Sequence, residues 1–223
     1  MTAHSVRVKI ILLRYRFLRL TENVEHHRGP GSVSWLCQLP TVWAHLAVQA
    51  ICALFAFLGG NMRKIGIIMG SDSDLPIVQK AVDTLKAFDV PYEVHIFSAH
   101  RTPEQAREFS ANARKNGFGA IIAAAGMAAH LAGAIAANTT LPVVGIPCKG
   151  ATLDGMDALL STVQMPSGIP VATVAINGAV NAALLCIQML AIEDSLLAEK
   201  LDEKRQKDTA AVLEKDRTIA ASL

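Results

Sequence analysis

The 223-residue chain contains few aromatic residues and few cysteines, and its net charge is small. Aromatic residues make up 5% of the chain and apolar residues 52%, which is typical of a packed α/β or α-helical protein rather than a disordered one. Its four cysteines have neither metal-site nor disulfide-framework spacing, which favours buried thiols in a reducing cytoplasm. The sequence also lacks a GxGxxG motif, a Walker motif and a nucleophile elbow, so dinucleotide-binding, P-loop and hydrolase chemistry are not indicated.

The basic residues are concentrated near the N-terminus. Residues 1–61 contain six of the 21 Lys and Arg residues but only two of the 19 acidic residues, which leaves 15 basic and 17 acidic residues in 62–223. The mildly basic character of the whole chain therefore comes from its first quarter. No basic patch indicates binding to nucleic acid.

The first 61 residues differ in character from the rest and allow three interpretations. The segment 42–58 is mostly apolar but contains His45 and Gln49, which makes it marginal for a membrane span, and it lies too far from the N-terminus for an ordinary signal peptide. Residues 1–61 could be a non-native or disordered hydrophobic leader upstream of a true start at Met62, a membrane anchor or targeting segment, or a structured extension. The first is preferred because a clean strand pattern begins just after Met62, and no stable membrane association is then expected.

From Met62 onward, short apolar runs alternate with helical patterns. The runs predict strands at 64–69, 92–97, 121–125, 142–146 and 171–175, and the alternation predicts a doubly wound α/β domain over 62–223 with a parallel sheet. The helix predicted at 178–192 is apolar almost all round and must be buried. One domain of this size has little room to bury such a helix, so we expect subunit contacts in a homo-oligomer. A charged C-terminal helix is predicted to follow it in the chain.

Polar residues follow the first two predicted strands, at the edge of the sheet where such folds bind ligands. Gly70–Asp74 offers backbone N–H groups and hydroxyls suited to a phosphate, and Asp74 can accept hydrogen bonds from ribose hydroxyls, although plain helix capping is the alternative. Arg101 ends the Ser98–Arg101 turn and can bind two phosphate oxygens, although a surface arginine is ordinary there. Thr102 and the acidic and amide residues after it predict a capping box for the next helix.

His130 follows the third strand and the glycine turn at Gly126. A lone histidine on an apolar stretch is more often structural, but small neighbours such as Ala128 and Ala129 leave room for a ligand. An imidazole there can take and give a proton near neutral pH. No cluster of His, Cys, Asp and Glu in the sequence predicts a metal site.

Four segments together resemble the catalytic subunit of phosphoribosylaminoimidazole carboxylases, whose bacterial members are N5-carboxyaminoimidazole ribonucleotide mutases of purine biosynthesis. They are Gly70-Ser71-Asp72-Ser73-Asp74, Ser98-Ala99-His100-Arg101-Thr102-Pro103, Gly126-Met127-Ala128-Ala129-His130-Leu131 and Gln164-Met165-Pro166-Ser167-Gly168-Ile169-Pro170. The resemblance implies a flavodoxin-like three-layer α/β/α sandwich, an octamer, a small ribonucleotide substrate, and neither cofactor nor metal. It also implies transfer of a carboxylate from the exocyclic nitrogen of the substrate to ring carbon C4.

The resemblance also assigns roles to individual residues. It implies that ribose and phosphate are bound by Ser71, Asp74 and Arg101, and that the same site is lined by Ser98 and His100. It implies that His130 is the proton carrier, with Gly126 in its loop. Two departures from the family pattern Gly-Gly-Ala-Ala-His-Leu-Pro-Gly are Met127 and Ala132, which could alter the mobility of this loop.

Two other functions remain as alternatives to a mutase. One is a lyase of the related branch, which carboxylates aminoimidazole ribonucleotide with free CO2, although the Ala-Ala-His pattern favours the mutase. The other is a non-enzymatic flavodoxin-like module such as a receiver or nucleotide sensor. A receiver would need a phosphoacceptor aspartate after strand three, where this chain has Ala125-Gly126-Met127.

Overall fold

The computed structural model describes residues 62–150 and 153–223, so the interpretations of residues 1–61 lie outside the described residues. In these ranges five parallel strands form one sheet in the order β2-β1-β3-β4-β5. The strands are β1 (Lys64–Met69), β2 (Tyr92–Ile96), β3 (Phe118–Gly126), β4 (Val143–Cys148) and β5 (Ala172–Thr173). This order is the flavodoxin-like one, which confirms the predicted fold class.

Helices connect the strands and cover both faces of the sheet. They are α1 (Leu75–Ala87), α2 (Pro103–Asn112), α3 (Leu131–Ala136), α4 (Met156–Val163), α5 (Ala179–Ala191) and α6 (Ser195–Ser222), and a 3-10 turn at Asp72–Asp74 precedes α1. No helix in residues 62–150 and 153–223 combines the length and apolarity that crossing a membrane requires.

Alternating side chains of the central strands divide the core into two layers. In β3, Ile122 packs toward α1 and α5, whereas Ile121 packs toward α2 and α3. Strands buried on both faces read as continuous apolar runs, which explains why β1 and β3 could be recognised in the sequence. Both layers leave the carboxyl ends of the strands, with their polar loops, at one edge of the sheet.

Helix α5 is buried largely within its own chain. Its small residues, including Ala182, Ala183 and Cys186, are fully buried in the core layer that also contains α1 and Leu197 of α6. The apolar character of α5 therefore has an explanation inside the domain, and it does not by itself require a second subunit. The prediction of a homo-oligomer needs support from another surface.

Candidate functional site

The loop after β1 and the turn after β2 are joined directly. The Arg101 guanidinium donates from Nη2 to the Gly70 carbonyl oxygen at 3.0 Å. This contact holds a cation beside the backbone that leads into Ser71. The two segments predicted to bind phosphate therefore lie together, as their positions after adjacent parallel strands require.

The turn that presents Arg101 is stabilised by its own hydroxyl groups. Ser98 N donates to Thr102 Oγ1 at 2.8 Å, and Arg101 N donates to Ser98 Oγ at 3.2 Å. The predicted capping box at Thr102 is wrong, because the Thr102 side chain makes no capping hydrogen bond to helix α2. The Thr102 hydroxyl instead accepts the hydrogen bond from Ser98 N, so it stabilises the turn and not the start of the helix.

In the loop after β1, serine and aspartate have different roles. Ser71 Oγ accepts a hydrogen bond from Ser73 N at 3.4 Å and so caps the 3-10 turn. Asp74 precedes α1, but its side chain makes no capping hydrogen bond and is only 9% exposed. Plain capping therefore does not explain Asp74.

The buried Asp74 carboxyl lies beside the Cys148 side chain at the end of β4. Burial raises the pKa of Asp74, and a hydrogen bond from the Ser71 backbone and contact with Cys148 partly oppose that rise. Burial, with a smaller contribution from Asp74, raises the pKa of Cys148 to about 12. Cys148 is thus a protonated neighbour of Asp74 and not a reactive thiolate.

Sequence reasoning missed Cys148 because strand four was predicted to end at residue 146, whereas β4 runs to Cys148. The signal was available, since the apolar run continues to that position. Gly126 pairs with Cys148 in the sheet, and a methyl group at Gly126 would lie 3.3 Å from the Cys148 carbonyl oxygen. The glycine therefore lets β3 and β4 approach closely at the edge that carries the site.

His130 is exposed at the start of helix α3, and His100 is exposed in the turn next to Arg101. Both project from the same edge of the sheet. Within the described residues, no side-chain hydrogen bond joins either imidazole to Ser71 or Asp74. Hydrogen bonds therefore connect Arg101 to Gly70 and Asp74 to the Ser71 backbone. The two histidines lie at the same edge only because they follow neighbouring strands.

Met127 takes a strained backbone conformation in the loop that leads to His130. Its φ of 56° lies in the left-handed region, which glycine adopts readily and a long side chain does not. The side chain is 70% exposed, and its Cγ lies near Gly150. The departure from the family pattern at Met127 therefore falls at a position where the backbone favours glycine.

No group of three or more His, Cys, Asp and Glu residues in 62–150 and 153–223 could hold a metal ion. A cavity of about 890 Å³ lies at the opposite edge of the sheet, near Thr140 and Pro142 at the amino end of β4. It is lined in part by Gly168, Ile169 and Pro170 of the fourth sequence segment, but by no residue of the loops after β1, β2 and β3. The carboxyl edge remains the place where a cation, hydroxyls, a buried carboxyl and two imidazoles come together.

A flavodoxin-like sheet with these groups at its carboxyl edge defines an α/β protein whose ligand crevice offers a cation, hydroxyl groups and a buried carboxyl. The chain belongs to the AIR carboxylase family, whose model matches residues 64–211. This result confirms the family predicted from the four sequence segments.

Similar proteins carry two related names. The N5-carboxyaminoimidazole ribonucleotide mutase of Pyrococcus abyssi is 53% identical over 146 residues, which cover 66% of this chain and 84% of the relative. The Thermotoga maritima protein of the same name is 51% identical over 154 residues, covering 69% and 90%. The Saccharomyces cerevisiae phosphoribosylaminoimidazole carboxylase is 54% identical over 151 residues, but these cover 68% of this chain and only 26% of the relative.

A solved structure gives the same fold. The crystal structure of Treponema denticola PurE matches with a TM-score of 0.63 at 27% identity, covering 69% of this chain and 96% of that one. The relatives that match over most of their own length are named mutases, which confirms the prediction of an enzyme of the mutase type.

Proposed function

We propose that the chain converts N5-carboxyaminoimidazole ribonucleotide to 4-carboxyaminoimidazole ribonucleotide in purine biosynthesis. The observation that carries this proposal is the contact of Arg101 with Gly70, which joins two ligand-binding loops beside the buried Asp74. It occurs in a chain that matches over 84 to 90% of the length of relatives named N5-carboxyaminoimidazole ribonucleotide mutase.

Each part of the substrate has a matching group at the carboxyl edge. The Arg101 guanidinium and the Ser71 hydroxyl bind the phosphate, because a planar cation and a hydroxyl donate to several phosphate oxygens at once. The Asp74 carboxylate accepts hydrogen bonds from the ribose hydroxyls. Ser98, His100 and Gly126 line the remaining wall of the site.

The chemistry requires movement of CO2 and of one proton. Cleavage of the N–C bond of the carbamate releases CO2 and leaves an electron pair on the exocyclic nitrogen, which takes a proton. The ring carbon C4 then attacks CO2 and afterwards loses its hydrogen as a proton, so the sum of the steps is neutral in protons. Holding CO2 beside C4 favours its recapture over escape, because the second step becomes effectively intramolecular.

We assign both proton transfers to His130. An imidazole ring can both donate and accept a proton through its nitrogens, so it can protonate the exocyclic nitrogen and then accept the proton from C4. Support comes from its position at a helix start, next to the exposed small residue Ala128, where a ligand can approach the ring. His100 is the other exposed imidazole at this edge and provides the matched comparison.

The two histidines are tested by the same substitution. His130→Asn is expected to lower kcat by about 10² to 10⁴, the usual contribution of a general acid or base, with KM changed much less. His100→Asn is expected to affect KM more than kcat, since it is assigned to the wall of the site. Steady-state kinetics of both variants decides the assignment. A large loss of kcat in His100→Asn, with near-normal turnover of His130→Asn, would assign the proton transfers to His100 instead.

The free-CO2 carboxylase is the second candidate. The observation that favours it is the 54% identity to the yeast carboxylase, which is as high as that to the mutases. Against it stands the length of the match, because the chain covers only 26% of that carboxylase. The two reactions share the product and differ in the substrate, so they can be separated by substrate alone.

We also propose a cytoplasmic homo-oligomer that works without cofactor. The support for self-association is an exposed apolar stripe on helix α4 and the turn before it, defined as Leu153, Met156, Leu160 and Val163, whose side chains are 47 to 58% exposed. Apolar residues grouped on one helix face indicate a contact surface. An octamer agrees with the resemblance to the family.

A further inference from the structure

Asp74 is a buried carboxyl group without a cationic partner among the described residues. Its side chain is 9% exposed, and none of the salt bridges within 62–150 and 153–223 includes it. The charge that acts on it is that of Asp72, which has the same sign and adds to the rise that burial causes in the pKa of Asp74. A buried carboxylate is costly unless hydrogen bonds stabilise it. Asp74 therefore depends on the hydrogen-bond donors around it.

Two such donors lie beside the carboxyl group, the Ser71 backbone on the same loop and the Cys148 side chain on strand β4. Ser71 is close because of the local turn, in which Asp74 N donates to the Ser71 carbonyl oxygen at 3.2 Å. The thiol stays protonated because burial raises the pKa of Cys148 to about 12, so it is able to donate. Cys148 is thus the donor that a different part of the sheet supplies.

Small residues at the end of β3 let these two side chains meet. Strand β3 lies between β1, which leads to Asp74, and β4, which ends at Cys148. Gly126 of β3 pairs with Cys148, and a methyl group at Gly126 would lie 3.7 Å from the Cys148 Cβ atom. A methyl group at Gly70 would lie 4.0 Å from Asp74 Oδ2 and 3.8 Å from Ala125 Cβ. The end of β3 therefore places no large side chain between the carboxyl group and the thiol.

The Cys148 thiol has one hydrogen and two acceptors. Its Sγ atom lies 3.7 Å from the Ile146 carbonyl oxygen, to which it donates. An ionised carboxylate is a stronger acceptor than a carbonyl oxygen, so the hydrogen turns to Asp74 when that group is charged. A thiol also fills only one of the roughly four acceptor positions of a carboxylate, which leaves the others for hydroxyl groups of a ligand.

We propose that Cys148 is a positioning residue that donates its thiol hydrogen to Asp74 and holds the free acceptor positions of the carboxylate toward the ligand crevice. It acts through Asp74 and not on the reacting atoms. The consequence for the ribonucleotide rests on the proposed function, whereas the contact between thiol and carboxyl group does not. A buried thiol that the sequence left without a role thereby becomes part of the site.

Substitutions at Cys148 separate the donor from the volume of the side chain. Cys148→Val removes the donor at similar volume, and KM for N5-carboxyaminoimidazole ribonucleotide is expected to rise by about 2- to 10-fold, with kcat changed by less than about twofold. Because the lost bond favoured the charged form, the pKa of Asp74 rises further and the acid limb of the kcat/KM profile moves to higher pH. Cys148→Ser keeps a donor and is expected to restore both.

The contact itself is measured by the S–H stretching band in the infrared spectrum of the full chain. The Cys148 band is identified by its loss in Cys148→Val. Asp74→Ala is expected to move this band to higher frequency, because the thiol then has only the weaker carbonyl acceptor. Cys186, a thiol buried on α5, is the control, and its band should stay in place. An unmoved Cys148 band in folded Asp74→Ala protein would overturn the proposal.

Further variants keep the test decisive. If Asp74→Ala does not fold, Asp74→Asn, which has a weaker neutral acceptor, must move the band in the same direction, or the proposal is refuted. If Cys148→Val does not fold, Cys148→Ala removes the same donor. A normal KM with an unmoved acid limb in these Cys148 variants would refute the positioning role, and Cys186→Ala is the matched kinetic control. A shifted Cys148 band in a wild-type chain that converts no N5-carboxyaminoimidazole ribonucleotide supports the contact and refutes the proposed function, so the two failures are distinguished.

Discussion

At the scale of single residues, Met127 carries backbone strain that glycine would relieve. The other described non-glycine residues with positive φ are Asp89, Asp154 and Asn177, residue types that tolerate this region because their short side chains bond locally. Met127 lacks that compensation, and its side chain is largely exposed. The sequence showed that Met127 stands where the family pattern has glycine, but the positive φ of Met127 could be known only from the structure.

Met127→Gly is therefore expected to stabilise the fold by about 0.5 to 1 kcal/mol, as relief of the left-handed strain exceeds the entropy that glycine adds to the unfolded chain. Thermal unfolding at a fixed protein concentration measures the effect. Met127→Ala keeps a Cβ atom and serves as the control, with little or no gain expected. A lower Tm for Met127→Gly than for the wild type would refute the strain.

Asp74 makes a pH-dependent contribution to stability. Because burial raises its pKa in the folded chain above the ordinary 3.8, the folded state holds this proton more tightly than the unfolded state does. The stability that Asp74 contributes is therefore present at pH values below 3.8 and is lost as the pH rises through the folded-state pKa.

Asp74→Asn removes the charge that burial disfavours. We expect its Tm to exceed that of the wild type more at pH 7 than at pH 4, while binding of the ribonucleotide weakens because an acceptor for the ribose hydroxyls is lost. Asp202→Asn, on the exposed face of α6, is the control. An equal Tm difference for Asp74→Asn at the two pH values would contradict this account of the buried carboxyl.

At the scale of elements, α4 is tied to the sheet through β4. The space above Gly145 in β4 is filled by the Thr162 side chain, whose Cγ2 would collide with any Cβ at that position. The hydroxyl of the same threonine reaches Ala129. One threonine thus sets both the distance of α4 from the sheet and the support of the loop before His130.

Gly145→Ala should push α4 outward and destabilise the chain by about 1 to 3 kcal/mol, the usual cost of overpacking. Thr162→Ser removes the colliding Cγ2 and keeps the hydroxyl, so the double variant is expected to recover much of the loss. A double-mutant cycle by chemical denaturation gives the coupling energy. Strict additivity of the two substitutions would show that the helix does not pack as described.

Most elements could be predicted from the sequence, because strands buried on both faces leave apolar runs such as that of β1, and helices leave an apolar stripe. The loops were located for the same reason, since they follow those strands. The close approach of Gly133 to His130 and Met165 could not be predicted, because Met165 lies on a distant segment and no local pattern records that pairing. The role of Thr102 was mistaken because two local partners competed for one hydroxyl.

At the scale of the whole molecule, self-association is assigned to the apolar stripe on α4. Leu160→Glu places a charge in its middle and is expected to lower the particle mass, because an unpaired charge is costly in an apolar contact. Light scattering on the full chain measures the mass. Leu196→Glu makes the same change at an exposed position on α6 and should leave the mass unaltered. An unchanged mass for Leu160→Glu would place the contact elsewhere.

The central claim is that the whole molecule moves a carboxylate within one substrate. Its most direct test supplies the full chain with N5-carboxyaminoimidazole ribonucleotide in one reaction, and with aminoimidazole ribonucleotide and bicarbonate in another. We predict rapid formation of 4-carboxyaminoimidazole ribonucleotide from the first substrate, and His130→Asn is the matched inactive control. Formation of that product only in the second reaction would contradict the mutase and identify a carboxylase that uses free CO2.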